Sequence, residues 1–158
     1  MNINKKIIKT DYLVGADGPF SLVAKSANMY NERKFMIAPQ ARVSLKIEDP
    51  DFIEVYLGEG YFGWVVPENN KTARIGTASY KNSNEFFNSL MKRRAPNSKI
   101  ICYQSGVIPM FDPNQKLQNG HVFLIGDAAC QTKNPSHGGI IQGLTAAEAL
   151  SKALTENK

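Results

Sequence analysis

Cysteine and histidine are scarce in this sequence, with two of each among 158 residues. Cys102 and Cys130 form neither a C-x-x-C pair nor a disulfide framework, which points to a reducing, cytoplasmic setting. His121 and His137 have no cysteine or carboxylate at metal-ligand spacing, so no metal is expected. Ser136-His137 lacks a nucleophile elbow, which removes acyl transfer from consideration. No apolar run approaches the roughly 20 residues of a membrane span. The opening Met1-Asn2-Ile3-Asn4-Lys5-Lys6 carries no apolar signal-peptide core. Internal repeats and low-complexity tracts are missing too.

What is present suits a folded chain. At 42% hydrophobic and 21% charged residues the composition is too apolar for disorder. The length suits one compact domain able to bury about two-thirds of its unfolded surface. The net charge of +5 is modest. Its one compact basic cluster, Lys92-Arg93-Arg94, ends a predicted helix and complements the helix dipole there. No nucleic-acid-reading motif accompanies it, so no nucleic acid partner is expected.

Patterning divides the chain in three. Lys6 to Val14 reads as extended and ends, through the apolar Tyr12-Leu13-Val14, at Gly15, as strands of buried parallel sheets do. Ser21 to Tyr30 is a helical or irregular crossover. Alternation then takes over at Val43/Leu45/Ile47 and Ile53/Val55/Leu57, followed by strands at 61–66 and 73–78, which together predict a four-stranded antiparallel meander. Asn82 with Glu85 resembles a helix-capping pair, and the helix it opens ends at Ala95-Pro96. Residues 99–105 form another strand. From Val122 the first style returns: Val122-Phe123-Leu124-Ile125 runs into Gly126-Asp127-Ala128-Ala129, and a helix follows from Ile140 to about Leu154. The predicted fold class is therefore α/β with mixed α+β character. An antiparallel sheet with one helix (39–105) is inserted between two parts of another domain (1–38 and 106–158).

Gly58-Glu59-Gly60-Tyr61-Phe62-Gly63 matches G-x-G-x-x-G literally. A dinucleotide site needs a helix directly after that motif, because the helix N-terminus holds the pyrophosphate. Trp64-Val65-Val66-Pro67 is instead strand-like, so the match is read as a hairpin turn.

Two other segments carry chemistry: Leu13-Val14-Gly15-Ala16-Asp17-Gly18-Pro19-Phe20-Ser21, and Leu124-Ile125-Gly126-Asp127-Ala128-Ala129 with Pro135, Gly138 and Gly139. In each, a small residue follows a strand and admits close backbone approach by a ligand. Each also places an aspartate at a strand's carboxyl end, where open α/β sheets bind ligands and where ribose or ribityl hydroxyls find an acceptor. Gly138-Gly139 exposes N–H groups at a helix start that favours negative charge. Taken singly, either segment is equally well an ordinary strand-to-loop turn.

Together the segments resemble the second ("DG") and third ("GD") fingerprints of flavoproteins with the para-hydroxybenzoate-hydroxylase type of fold. Tyr61-Phe62-Gly63-Trp64-Val65-Val66-Pro67 with Arg74-Ile75-Gly76 is similar to the tyrosine–tryptophan–proline strand of the geranylgeranyl reductases within that superfamily. The resemblance spans about residues 11–150. It implies FAD as cofactor, with Asp17 and Gly18 shaping the floor of its site and Gly126, Asp127 and Ala128 at the ribityl or pyrophosphate portion. Pro135, Gly138 and Gly139 would then lie near the flavin ring. It further implies hydride delivery from reduced flavin to an isoprenoid carbon–carbon double bond, the electrons coming from NAD(P)H or a ferredoxin-like donor. Tyr61, Phe62 and Trp64 become candidate walls of an isoprenoid pocket, although sheet-core aromatics explain them equally well. A lipid substrate is compatible with peripheral membrane contact.

The family's first fingerprint is absent, and so is its region beyond the GD helix. The sequence is accordingly expected to be an internal piece of a longer flavoprotein, the first motif lying upstream or on another chain. A flavin monooxygenase or halogenase of the same fold is the alternative chemistry. A non-catalytic remnant unable to hold FAD by itself is the alternative of a different class.

Overall fold

A computed structural model describes residues 2–3, 6–58, 60–134 and 136–156. The chain forms two compact units, Met1–Lys34 with Pro109–Lys158, and Phe35–Ile108.

In the first unit, strands β1 (Asn2–Ile3) and β2 (Lys6–Ile7) pair as a short antiparallel ladder. Strand β3 (Leu13–Gly15) is followed by the single-turn helix α1 (Leu22–Ser26). Across the insertion come β9 (Gln118–Asn119), β10 (Val122–Leu124), a 3₁₀ turn (Gly126–Ala129) and helix α3 (Ile140–Glu156). The sheet order is β3-β10-β9, with β3 and β10 parallel and Gly15 opposite Leu124. The two glycine–aspartate segments thus leave the same end of one sheet. Ala24, Met29, Leu124 and Ala129 form the core here. Gly15 is required by this packing: a Cβ on it would lie 2.7 Å from Leu124 Cδ2 and 2.9 Å from Val23 Cβ.

The second unit holds β4 (Phe35–Ser44), β5 (Glu54–Tyr56), β6 (Phe62–Asn69), β7 (Thr72–Ala78), helix α2 (Ser83–Arg94) and β8 (Lys99–Pro109), the last running one residue past the unit's end. Its sheet has the order β5-β6-β7-β4-β8. Alternation sorts the side chains by face. Ala41, Val43, Val65, Ala73 and Ile75 pack on Phe87 and Leu90 of α2, whereas Met36, Ala38 and Ala78 gather Phe62, Trp64 and Ile108.

Three expectations are corrected. The four strands are not a meander, because β4 pairs with β7 and leaves β5 at the far edge. Strand β4 begins seven residues before Arg42, where the alternation becomes visible. Residues Met36, Ala38, Pro39 and Ala41 are all buried, so no polar face marks the period. The ladder to β7 also lapses at Ala38 and Pro39, between the Ile37–Ser79 bridge and the Gln40–Gly76 pair. A proline has no N–H to contribute there. Finally, Asn82 takes a left-handed conformation and its side chain makes no capping bond. The hairpin reading of the 58–63 glycines agrees with the structure, since β6 and not a helix follows them.

Candidate functional site

The ends of β3 and β10 open onto a cleft of about 420 Å³. Ala16 and Gly18 line it from the first segment, Ile125, Gly126 and Asp127 from the second. Gly139, Ile140, Gly143, Leu144 and Ala147 of the α3 end complete the wall. Small residues bring these elements together. A Cβ at Gly143 would stand 3.4 Å from the Gly126 Cα, and one at Gly139 would stand 3.0 Å from Asp127 Oδ1. Gly18 and Gly126 hold φ values of +82° and +63°, which glycine adopts without steric cost.

The two aspartates, equivalent in sequence, differ in what remains of their acceptor capacity. Asp17 Oδ1 accepts the Ser21 hydroxyl at 2.5 Å, while Oδ2 accepts the N–H groups of Leu22 at 2.7 Å and Val23 at 3.1 Å. Ser21 Oγ in turn accepts the Ala24 N–H at 2.9 Å. Partial burial opposes ionisation of Asp17, but the bonds from Ser21, Val23 and Leu22 outweigh it and hold the carboxyl below its ordinary range. Its work is to cap α1 and fix the turn before it.

Asp127 is the opposite case. It is half-buried and lines the cleft, and its carboxylate accepts no hydrogen bond from any described residue. Burial pushes its pKa upward. A half-exposed carboxylate in this state keeps its acceptor capacity for water or for a ligand bearing hydroxyl or amide donors. Beside it stands the start of α3, whose first-turn N–H groups have no intrahelical partners and favour negative charge. The cleft therefore combines a free acceptor, an electropositive helix end and close backbone approach. A nucleotide-like ligand carrying both hydroxyl donors and anionic groups fits that donor set.

Other sequence candidates fall elsewhere. Ala128 is fully buried beneath the turn. Gly138 is exposed, does not line the cleft, and gives its carbonyl to the Lys133 N–H at 2.8 Å. Pro135 lies outside the described residues. Cys130 is a buried thiol with a pKa raised by burial, which matches a packing role. Among the described residues no group of three or more histidine, cysteine or acidic side chains is placed to hold a metal.

The aromatic strand sits in the other unit. Trp64 lies across Gly76, where a Cβ would fall 2.4 Å from its ring. Its Nε1 donates to Gln40 Oε1 at 2.9 Å, and Gln40 Nε2 donates to Gln104 Oε1 at 2.5 Å. Trp64, Ala38, Gln40, Gln104 and Ile108 line a cavity of about 410 Å³. Phe62 packs beside Trp64 with ring centroids 5.5 Å apart. Tyr61 turns to Phe62 and Tyr80, and neither it nor Phe62 lines this cavity.

Sequence reasoning missed Gly143, Gln40, Gln104 and Arg33. Gly143 carried a usable signal, because a glycine inside a helix is costly and marks close approach. The other three had none, being single polar residues whose partners are distant in sequence.

No family model matches the chain. It is 25% identical to digeranylgeranylglycerophospholipid reductase of Methanosarcina acetivorans, over 99% of this chain and 42% of that protein. It is 30% identical to the chloroplastic geranylgeranyl diphosphate reductase of Arabidopsis thaliana, over 96% of this chain and 35% of that one. Among solved structures, a geranylgeranyl bacteriochlorophyll reductase-like protein from Thermoplasma acidophilum superposes with a TM-score of 0.76 at 20% identity, covering 98% of this chain and 44% of its own. The flavin-dependent halogenase CmlS shares the fold at a TM-score of 0.66 and 15% identity, over 92% of this chain and 30% of its own. The chain thus spans less than half the length of these relatives. Reductases of geranylgeranyl substrates align along nearly all of this chain's residues, and a geranylgeranyl bacteriochlorophyll reductase-like protein shares its fold.

Proposed function

We propose that this chain contributes the FAD-contacting turns and the substrate sheet of an oxidoreductase that reduces isoprenoid carbon–carbon double bonds. The observation that carries the flavin part is the unpartnered Asp127 carboxylate on the wall of the cleft, next to the start of α3. FAD, once bound and reduced by the electron donor, would supply the hydride for the double bond, while the protein contributes orientation and electrostatics. Asp127 would accept hydrogen bonds from the ribityl hydroxyls. The α3 start, with Gly139 beside it on the cleft wall, would stabilise negative charge on the ligand. Asp17 holds the opposite turn in shape through α1. Trp64 offers an apolar wall to an isoprenoid chain, with Phe62 packed behind it. Electrons come from NAD(P)H or a ferredoxin-like donor. The relatives' names support the reductase over the halogenase reading, since halogenase likeness is confined to fold.

The test is retention of flavin. The purified chain, incubated with excess FAD and desalted, is expected to keep flavin absorbance, and Asp127→Ala to lose at least tenfold in affinity. A wild-type chain that elutes without flavin removes the claim that this polypeptide holds the cofactor.

A further inference from the structure

We infer that Arg33 is a positioning residue, a latch that ties the two cofactor turns to each other. This rests on reading the cleft as the flavin site. Arg33 Nη1 donates to the Pro19 carbonyl at 2.8 Å, and Nη2 donates to the Ala128 carbonyl at 2.7 Å and to Gln115 Oε1 at 3.1 Å. Pro19 adjoins Gly18, and Ala128 adjoins Asp127. One guanidinium therefore spans two chain segments that each contribute the neighbouring residue to the cleft wall. Those segments meet in the parallel pairing of β3 with β10, which stops at Gly15 and Leu124. One more bond, from the Ile125 N–H to the Gly15 carbonyl, continues it. Beyond that point Arg33 is a direct link between the two turns.

The surroundings hold the latch in place. The guanidinium stacks 4.1 Å from the centroid of the Tyr30 ring, whose hydroxyl also donates to the Pro19 carbonyl at 3.3 Å. Gln115 is buried and anchored by bonds from its Nε2 to the Met29 and Lys116 carbonyls, both at 2.8 Å. All three acceptors of Arg33 are neutral, and no carboxylate of a described residue pairs with it. An arginine held only by carbonyls and an amide is placed for geometry, not for charge pairing. The planar fork matters: a lysine ammonium is a single point of donation and does not reproduce two parallel reaches in one plane.

The experiment uses the whole chain with Arg33→Lys and Arg33→Ala. Amide hydrogen exchange without flavin is measured at residues 18–23 and 125–131, the five-stranded sheet serving as internal reference. Both segments are expected to exchange at least tenfold faster in each variant while the sheet is unchanged, and ethylguanidinium is expected to restore protection to the alanine variant. Unchanged exchange at either turn overturns the latch. So does loosening that added ethylguanidinium leaves as it was. FAD titration is run in parallel, with at least a tenfold loss of affinity and an altered flavin circular dichroism expected for Arg33→Lys. Wild-type affinity in that variant also overturns the latch. If wild-type chain binds no FAD, the flavin reading fails, and the exchange data still decide the latch.

Discussion

Asp17 and Asp127 show how one residue type in one sequence context takes two roles. Asp17 spends its oxygens on Ser21, Leu22 and Val23, so Asp17→Ala is expected to cost about 0.5–2 kcal/mol in unfolding free energy, and Asp17→Asn isolates the part that depends on charge. Its pH signature has a definite sign. The folded pKa lies below the unfolded value of 3.8. The contribution is fully present above that value and disappears as pH falls through the folded pKa. The gap between wild-type and Asp17→Asn melting midpoints should close over that interval, and a constant gap would mean that ionisation is irrelevant. Asp127 runs the other way. Its folded pKa is raised, so stability should fall as pH rises from 3.8 through the folded value, and Asp127→Asn should remove that slope.

Elements are shaped by close approaches that one extra carbon spoils. The pairing of Trp64 with Gly76 in β6 and β7 lets the indole lie flat on the neighbouring strand. Gly76→Ala forces the ring away from a contact of 2.4 Å, at a cost of about 1–3 kcal/mol. Trp64 is the sole tryptophan, so its emission reports the displacement directly. A red shift with a lowered midpoint is expected, and unchanged emission would show that the ring has room. The positions of β5 and α2 were legible in the sequence from period-two alternation and helical spacing, those of β6 and β7 from β-forming runs set off by turn residues, and that of β10 from a continuous apolar run ending at a glycine. The early half of β4 was not, since burial on both faces erases alternation. The order of strands was not legible either: whether β4 lies beside β5 or β7 depends on contacts between segments, and no local pattern records them.

On the scale of the molecule, α3 presents apolar side chains to solvent. None of its described side chains is buried, and Ile140, Ile141 and Leu144 are 79%, 69% and 64% exposed. Apolar surface of this kind binds amphiphilic dyes. The chain is expected to enhance anilinonaphthalene sulfonate fluorescence. Ile141→Gln with Leu144→Gln should reduce that signal while shifting unfolding free energy by less than about 0.5 kcal/mol, as exposed substitutions do. A large loss of stability would show that the helix face is covered in solution. No described helix is long and apolar enough to cross a membrane.

By itself the sequence determined the element types, the family resemblance and the two glycine–aspartate turns, because propensity, periodicity and short motifs are local properties. The refusal of the 58–63 glycine motif was also local, since only the residues after it mattered. Tertiary structure alone decided which aspartate keeps a free carboxylate, which aromatic lines a cavity, and that Arg33 joins turns at Pro19 and Ala128. Hydrogen-bond capacity is consumed by whatever partner comes within about 3 Å. That proximity arises only when distant segments fold together.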